Sequence, residues 1–118
     1  VFFARQAPNT GIAIHSDFNN MICTSHLGLF CPPNQAWIEV GGERRYWEDG
    51  QMLVFDTSFM HKTQNESLDH ERFVLLIRFW HPELTATERR ALQFIFEAQE
   101  NPELLEDPAA KRQGAGMP

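Results

Sequence analysis

The dipeptide Gly41-Gly42 stands between two short runs of strand-forming residues, Ala36-Trp37-Ile38-Glu39-Val40 and Glu43-Arg44-Arg45-Tyr46-Trp47. Both glycines accept the positive φ of a tight primed turn, so the chain must double back here as an antiparallel hairpin. The same alternation of strand and turn recurs on either side. Phe2 to Ala4, Gly11 to His15, Met21 to Phe30, Met52 to Asp56 and Glu71 to Trp80 read as further strands, punctuated by Ala7-Pro8-Asn9-Thr10, Cys31-Pro32-Pro33-Asn34 and Glu48-Asp49-Gly50. About seven short strands with no helices between them exclude a βαβ fold and predict an all-β barrel or sandwich.

One helix is expected, and it follows the strands. Pro82 stops the last of them, and Thr85-Ala86-Thr87-Glu88 has the spacing of a capping box ahead of Leu92, Ile95 and Phe96. The helix is predicted to end near Glu100. Residues 101–118, rich in Pro, Ala and Gly, read as an extended tail, which leaves residues 1–100 as the domain.

A chain of 118 residues, 42% of them hydrophobic and 22% charged, holds one domain with a modest core. It opens on Val1-Phe2-Phe3-Ala4 without an initiator methionine, so it is expected to begin inside a longer protein. Its longest apolar run, Phe73 to Ile77, is far too short to span a bilayer, so a membrane anchor would have to precede Val1. The net charge of -6 argues against nucleic acid as a partner, since no basic patch is present to neutralise phosphates. Cys23 and Cys31 lack the spacing of a structural metal site. They are expected to be buried free thiols, with a disulfide across a hairpin as the alternative.

The chemistry begins at His15-Ser16-Asp17, where a strand ends. Side chains two apart on a strand project to the same face, so one imidazole and one carboxylate can reach a single metal ion. His61 follows another apolar strand and a turn in a similar way, and it completes a candidate set of two histidines and one carboxylate for iron(II). Such a set leaves coordination positions open. Arg72 lies on the following strand, on the same face as Val74, Leu76, Arg78 and Trp80. An arginine turned inward among aliphatic residues needs an anion, and a dicarboxylate held bidentately would meet that need. Strand alternation places His26 beside the small residues Thr24 and Gly28, as a donor to a co-substrate or as a core histidine. Arg44, Arg45 and Arg78 read as solvated or ion-paired, and the three tryptophans as core.

Taken in order, Thr24-Ser25-His26-Leu27-Gly28-Leu29, Val40-Gly41-Gly42-Glu43, Trp47-Glu48-Asp49-Gly50, Phe55-Asp56-Thr57-Ser58-Phe59-Met60-His61 and Trp80-His81-Pro82-Glu83-Leu84-Thr85 resemble the aspartyl/asparaginyl β-hydroxylase family. The resemblance covers roughly residues 2–96. It implies a double-stranded β-helix, the cupin-like jelly roll, lacking its N-terminal part here. It also implies a dioxygenase that uses Fe(II), O2 and 2-oxoglutarate to hydroxylate aspartyl or asparaginyl side chains of a protein or peptide. His15, Asp17 and His61 would then hold the metal, and Arg72 and His26 the co-substrate. The animal peptidyl hydroxylases carry a glycine where this chain has Asp17, an arginine where it has Thr24, and a serine where it has Ala4. Two other roles fit the same residues less closely, a non-catalytic cupin-like subunit or binding module and a hydroxylase of lipid acyl chains.

Overall fold

The computed structural model describes residues 1–105. Residues 1–81 form one compact unit and the described residues from Pro82 onward belong to a second. In the first, eight strands run in chain order: β1 (Phe2–Gln6), β2 (Thr10–His15), β3 (Ile22–Phe30), β4 (Ala36–Val40), β5 (Glu43–Tyr46), β6 (Met52–Asp56), β7 (His61–Asn65) and β8 (Arg72–Trp80). They pair antiparallel into two four-stranded sheets, β1-β8-β3-β6 and β2-β7-β4-β5. Consecutive strands β1 and β2, or β3 and β4, cross from one sheet to the other, which is the winding of a jelly roll.

The core joins the inner faces of both sheets. Cys31, Trp47 and Val74 pack with Ala36 and Ile38 of β4, and Ala4, Val40, Leu53 and Phe55 flank them. Trp47 is 1% exposed and is the largest of these side chains. The Gly41-Gly42 turn has the expected positive φ values, 57° and 84°. Gly28 is required for a different reason. A Cβ there would lie 2.0 Å from the carbonyl oxygen of Glu48, where the Gly50 N–H donates to the Gly28 carbonyl across 2.8 Å. Cys23 and Cys31 are both buried and free. Burial pushes the Cys31 thiol up to about 11, so it is inert at neutral pH.

β7 is not among the strands expected from the sequence. Its buried positions are His61, Thr63 and Asn65, all polar, so hydrophobic alternation gives no sign of a strand. The strand holds because these groups are satisfied internally. Asn65 Nδ2 donates to the His70 carbonyl at 2.8 Å and its Oδ1 accepts from the Ser67 N–H at 3.1 Å, while Thr63 Oγ1 accepts from Gln6 Nε2 at 3.0 Å.

In the second unit, α1 spans Ala86–Glu100. Thr85 and Glu88 close the predicted capping box from both sides, at 3.1 and 2.9 Å. A 3-10 turn, Pro102–Leu105, follows it, and the rest of the predicted tail lies outside the described residues. Among the described residues no helix is long and apolar enough to cross a membrane.

Candidate metal centre

β2 and β7 are neighbours, and His15 lies in register with His61. A pairing irregularity between Ile12 and His15 shifts the end of β2 against its partner. Beyond it the chain is pinned to the β6–β7 turn. The Asp17 N–H donates to the Thr57 carbonyl at 3.0 Å, and Ser16 Oγ donates to the Ser58 carbonyl at 2.7 Å. These bonds set the Asp17 carboxylate against both imidazoles, with Oδ1 3.5 Å from His15 Nε2 and 3.7 Å from His61 Nε2.

The tautomers follow from backbone contacts. His15 Nδ1 is 2.9 Å from the Ala13 carbonyl and His61 Nδ1 is 2.8 Å from the Phe59 carbonyl. A carbonyl only accepts, so each Nδ1 carries the proton and each neutral ring keeps its Nε2 lone pair for the space beside Asp17. One donor atom from each of the three residues lies within 4.8 Å of the others. Donors bonded to one ion at about 2.1 Å stand roughly 3 to 3.5 Å apart, so a small contraction fits a metal to this set. Backbone carbonyls that fix the imidazoles are the outer-shell partners that histidine ligands ordinarily have.

The three residues line a cavity of about 160 Å³ with Thr24, His26, Phe55 and Arg78 among the others. A larger cleft of about 510 Å³, reaching Val40, Arg45, Leu53 and Phe59, shares Ile38 and Phe55 with it. His26 is 8% exposed, and its Nδ1 accepts from Trp47 Nε1 at 3.2 Å. The indole only donates, so the neutral ring carries its proton on Nε2. Burial, with the positive charges of Arg72 and Arg78 adding to it, lowers His26 to about 4. The ring is therefore a neutral donor at physiological pH.

Arg72 lies over the Trp47 ring, its guanidinium carbon 4.3 Å from the ring centre. It is 5% exposed, Nε has no hydrogen-bond partner, and one terminal nitrogen reaches the Ala4 carbonyl at 3.5 Å. Burial lowers it to about 10, so it remains a cation at neutral pH. Among the described residues no carboxylate forms an ion pair with it. The charge is buried without its counterion, which is the condition of an anion site.

Three features escape sequence reasoning. Trp47 is more than core, since its indole links His26 to Arg72. Arg78 is solvent-exposed as expected, yet it also lines the cavity. Thr24 Oγ1 is buried without a partner. The available signal is strand alternation, which places Thr24 with His26 and Arg78 with Arg72. Arg44 and Arg45 are ion-paired, with Glu39 and Glu43.

A sequence profile described as Aspartyl/Asparaginyl beta-hydroxylase matches residues 1–82. The chain belongs to this family. It is 41% identical over 92 residues to the rat Aspartate beta-hydroxylase domain-containing protein 2, covering 76% of this chain and 26% of that one. It is 36% identical over 88 residues to the mouse Aspartyl/asparaginyl beta-hydroxylase, covering 75% of this chain and 12% of the relative. This member therefore spans about a quarter or less of the length of these relatives. Among solved structures, a cupin protein from Bacteroides fragilis superposes with a TM-score of 0.55 at 15% identity, over 71% of this chain and 67% of that one. The TT1209 protein of Thermus thermophilus does so at 0.54 and 16%, over 68% and 70%. These two show the fold alone, and it is the cupin-like jelly roll.

Proposed function

We propose that this β-hydroxylase-family chain is an Fe(II)- and 2-oxoglutarate-dependent dioxygenase that hydroxylates aspartyl or asparaginyl side chains of a protein substrate. The observation that carries the reading is the convergence of His15 Nε2, His61 Nε2 and the Asp17 carboxylate, with both Nδ1 atoms committed to backbone carbonyls. Two imidazoles and one carboxylate with open positions are the donor set of non-haem iron oxygenases. Iron held there, with 2-oxoglutarate and O2, supplies the oxidising chemistry that replaces a C–H bond by C–OH.

The residues of the chain do the rest. His15, Asp17 and His61 would hold the metal on one side and leave the cavity side open. Arg72, a buried cation without a counterion, would take the distal carboxylate of 2-oxoglutarate as a bidentate pair. His26, a neutral donor through Nε2–H, would bind an oxygen of the same molecule. Trp47 orients His26 through its N–H and packs under Arg72, so both anchors keep one geometry. The adjoining cleft gives a polypeptide side chain room to approach.

The test is turnover of 2-oxoglutarate to succinate with Fe(II) and O2, with mass spectrometry of peptide substrates for the gain of one oxygen atom. Turnover that is lost in Asp17→Ala and His61→Ala supports the reading. Unchanged metal binding in both variants, or none in the unaltered chain, leaves the fold serving as a non-catalytic module. Oxygen incorporated into acyl chains but not peptides would favour a lipid substrate.

A further inference from the structure

Thr24 and Arg78 are register partners across β3 and β8, and both line the metal cavity. Cross-strand partners on one face bring their side chains within reach of each other. Thr24 is 3% exposed, and its Oγ1 has no hydrogen-bond partner. A buried hydroxyl left unpaired costs on the order of 1–3 kcal/mol, so a ligand atom that met it would recover that cost. Arg78 holds a fork of donors at the cavity's exposed side, and among the described residues no carboxylate pairs with it. Asp17, the acidic residue among those lining the cavity, has the two histidines as its close partners.

β8 thus carries two arginines on one face. Arg72 is buried near its start, and Arg78 stands six residues on, beyond Val74 and Leu76. 2-Oxoglutarate has two carboxylates, one for the metal and one for Arg72, so it leaves Arg78 without an anion. A further anion is needed to use the Arg78 and Thr24 donors together. An aspartyl side chain presents such an anion one bond from the carbon to be oxidised, an asparaginyl amide presents no charge, and an acyl chain presents neither.

We propose that Arg78 and Thr24 form the subsite for the substrate's own carboxylate and make this chain selective for aspartyl over asparaginyl side chains. The inference rests on the dioxygenase reading. Arg78 would bind the carboxylate through two N–H donors and Thr24 Oγ1 would donate a third hydrogen bond. The hydroxylated carbon is then held toward His15, Asp17 and His61, while its charge stays at the mouth.

The test uses the full chain loaded with Mn(II) and 2-oxoglutarate. Binding of N-acetyl-aspartate methylamide and of N-acetyl-asparagine methylamide, at concentrations up to tens of millimolar, is followed by calorimetric titration. The expected result is a preference of about tenfold for the aspartate probe. That preference should be lost in Arg78→Gln, largely kept in Arg78→Lys, and weakened in Thr24→Val, with Mn(II) and 2-oxoglutarate affinities as in the unaltered chain. Equal binding of the two probes, no binding of either, or an unchanged preference in Arg78→Gln overturns the subsite while the dioxygenase reading stands. Failure of the unaltered chain to bind Mn(II) and 2-oxoglutarate overturns both.

Discussion

His15 and His61 face each other across β2 and β7 with ring centroids 4.3 Å apart, and each donates from Nδ1 to the carbonyl two residues before it. The two rings are thus held by the same local device on adjacent strands, and their Nε2 atoms both approach Asp17. A metal held by this set would bind only the folded arrangement, so a divalent ion at a hundredfold excess over its Kd should stabilise the chain by about 2.7 kcal/mol. Thermal unfolding with and without Mn(II) reads this as a rise of several degrees in Tm, and Asp17→Ala should abolish most of the rise.

Arg72 gives a prediction of opposite sign for the free and the liganded chain. Its buried charge lacks a counterion, so Arg72→Met should leave the stability of the free chain within about 1 kcal/mol or raise it. The same substitution should remove the stabilisation that 2-oxoglutarate gives to the metal-loaded protein. Calorimetric titration with 2-oxoglutarate, before and after the change, separates the two effects.

The His26–Trp47 bond can be removed with little change of shape. Trp47→Phe keeps an aromatic ring but leaves His26 Nδ1 buried without a donor and opens a small void, which together should cost roughly 2–4 kcal/mol. Chemical denaturation measures the cost. In this variant the His26 proton is no longer confined to Nε2, and its nitrogen NMR signals should show a mixture of tautomers.

His26 also sets an acid limb. Its folded value, about 4, lies below the ordinary 6.5, so between these values the unfolded chain binds a proton that the folded chain does not. Stability is then complete above pH 6.5 and falls as pH drops toward 4, by about 3 kcal/mol in all. Asp56, held below 3.8 chiefly by the Ser58 N–H, adds its own loss only below that range. Denaturation midpoints from about pH 7 to pH 4 should show this slope, and a His26→Gln variant should flatten it.

Much of this is legible in the sequence because strands and turns announce themselves locally. The Gly41-Gly42 turn, the Thr85 capping box and the alternation along β8 all depend on residues close in the chain. His15, Asp17 and His61 are readable as a candidate set for the same reason, the two histidines lying at strand ends and Asp17 two residues past the first. β7 is not, because its inward side chains are polar and their partners, such as Gln6 and His70, lie elsewhere in the fold. The irregularity between Ile12 and His15 and the Trp47 link between His26 and Arg72 are tertiary facts with no local mark. Arg78 reads as solvated because an exposed arginine and a cavity-mouth arginine share the same strand pattern.

His15, Asp17 and His61 are proposed to hold one iron ion. Anaerobic calorimetric titration of the metal-free chain with Fe(II) tests it most directly. A single site is expected, weakened at least ~100-fold in Asp17→Ala and in His61→Ala while both variants keep the far-ultraviolet spectrum of the jelly roll. Equal Fe(II) affinity in the unaltered chain and in both folded variants would contradict it.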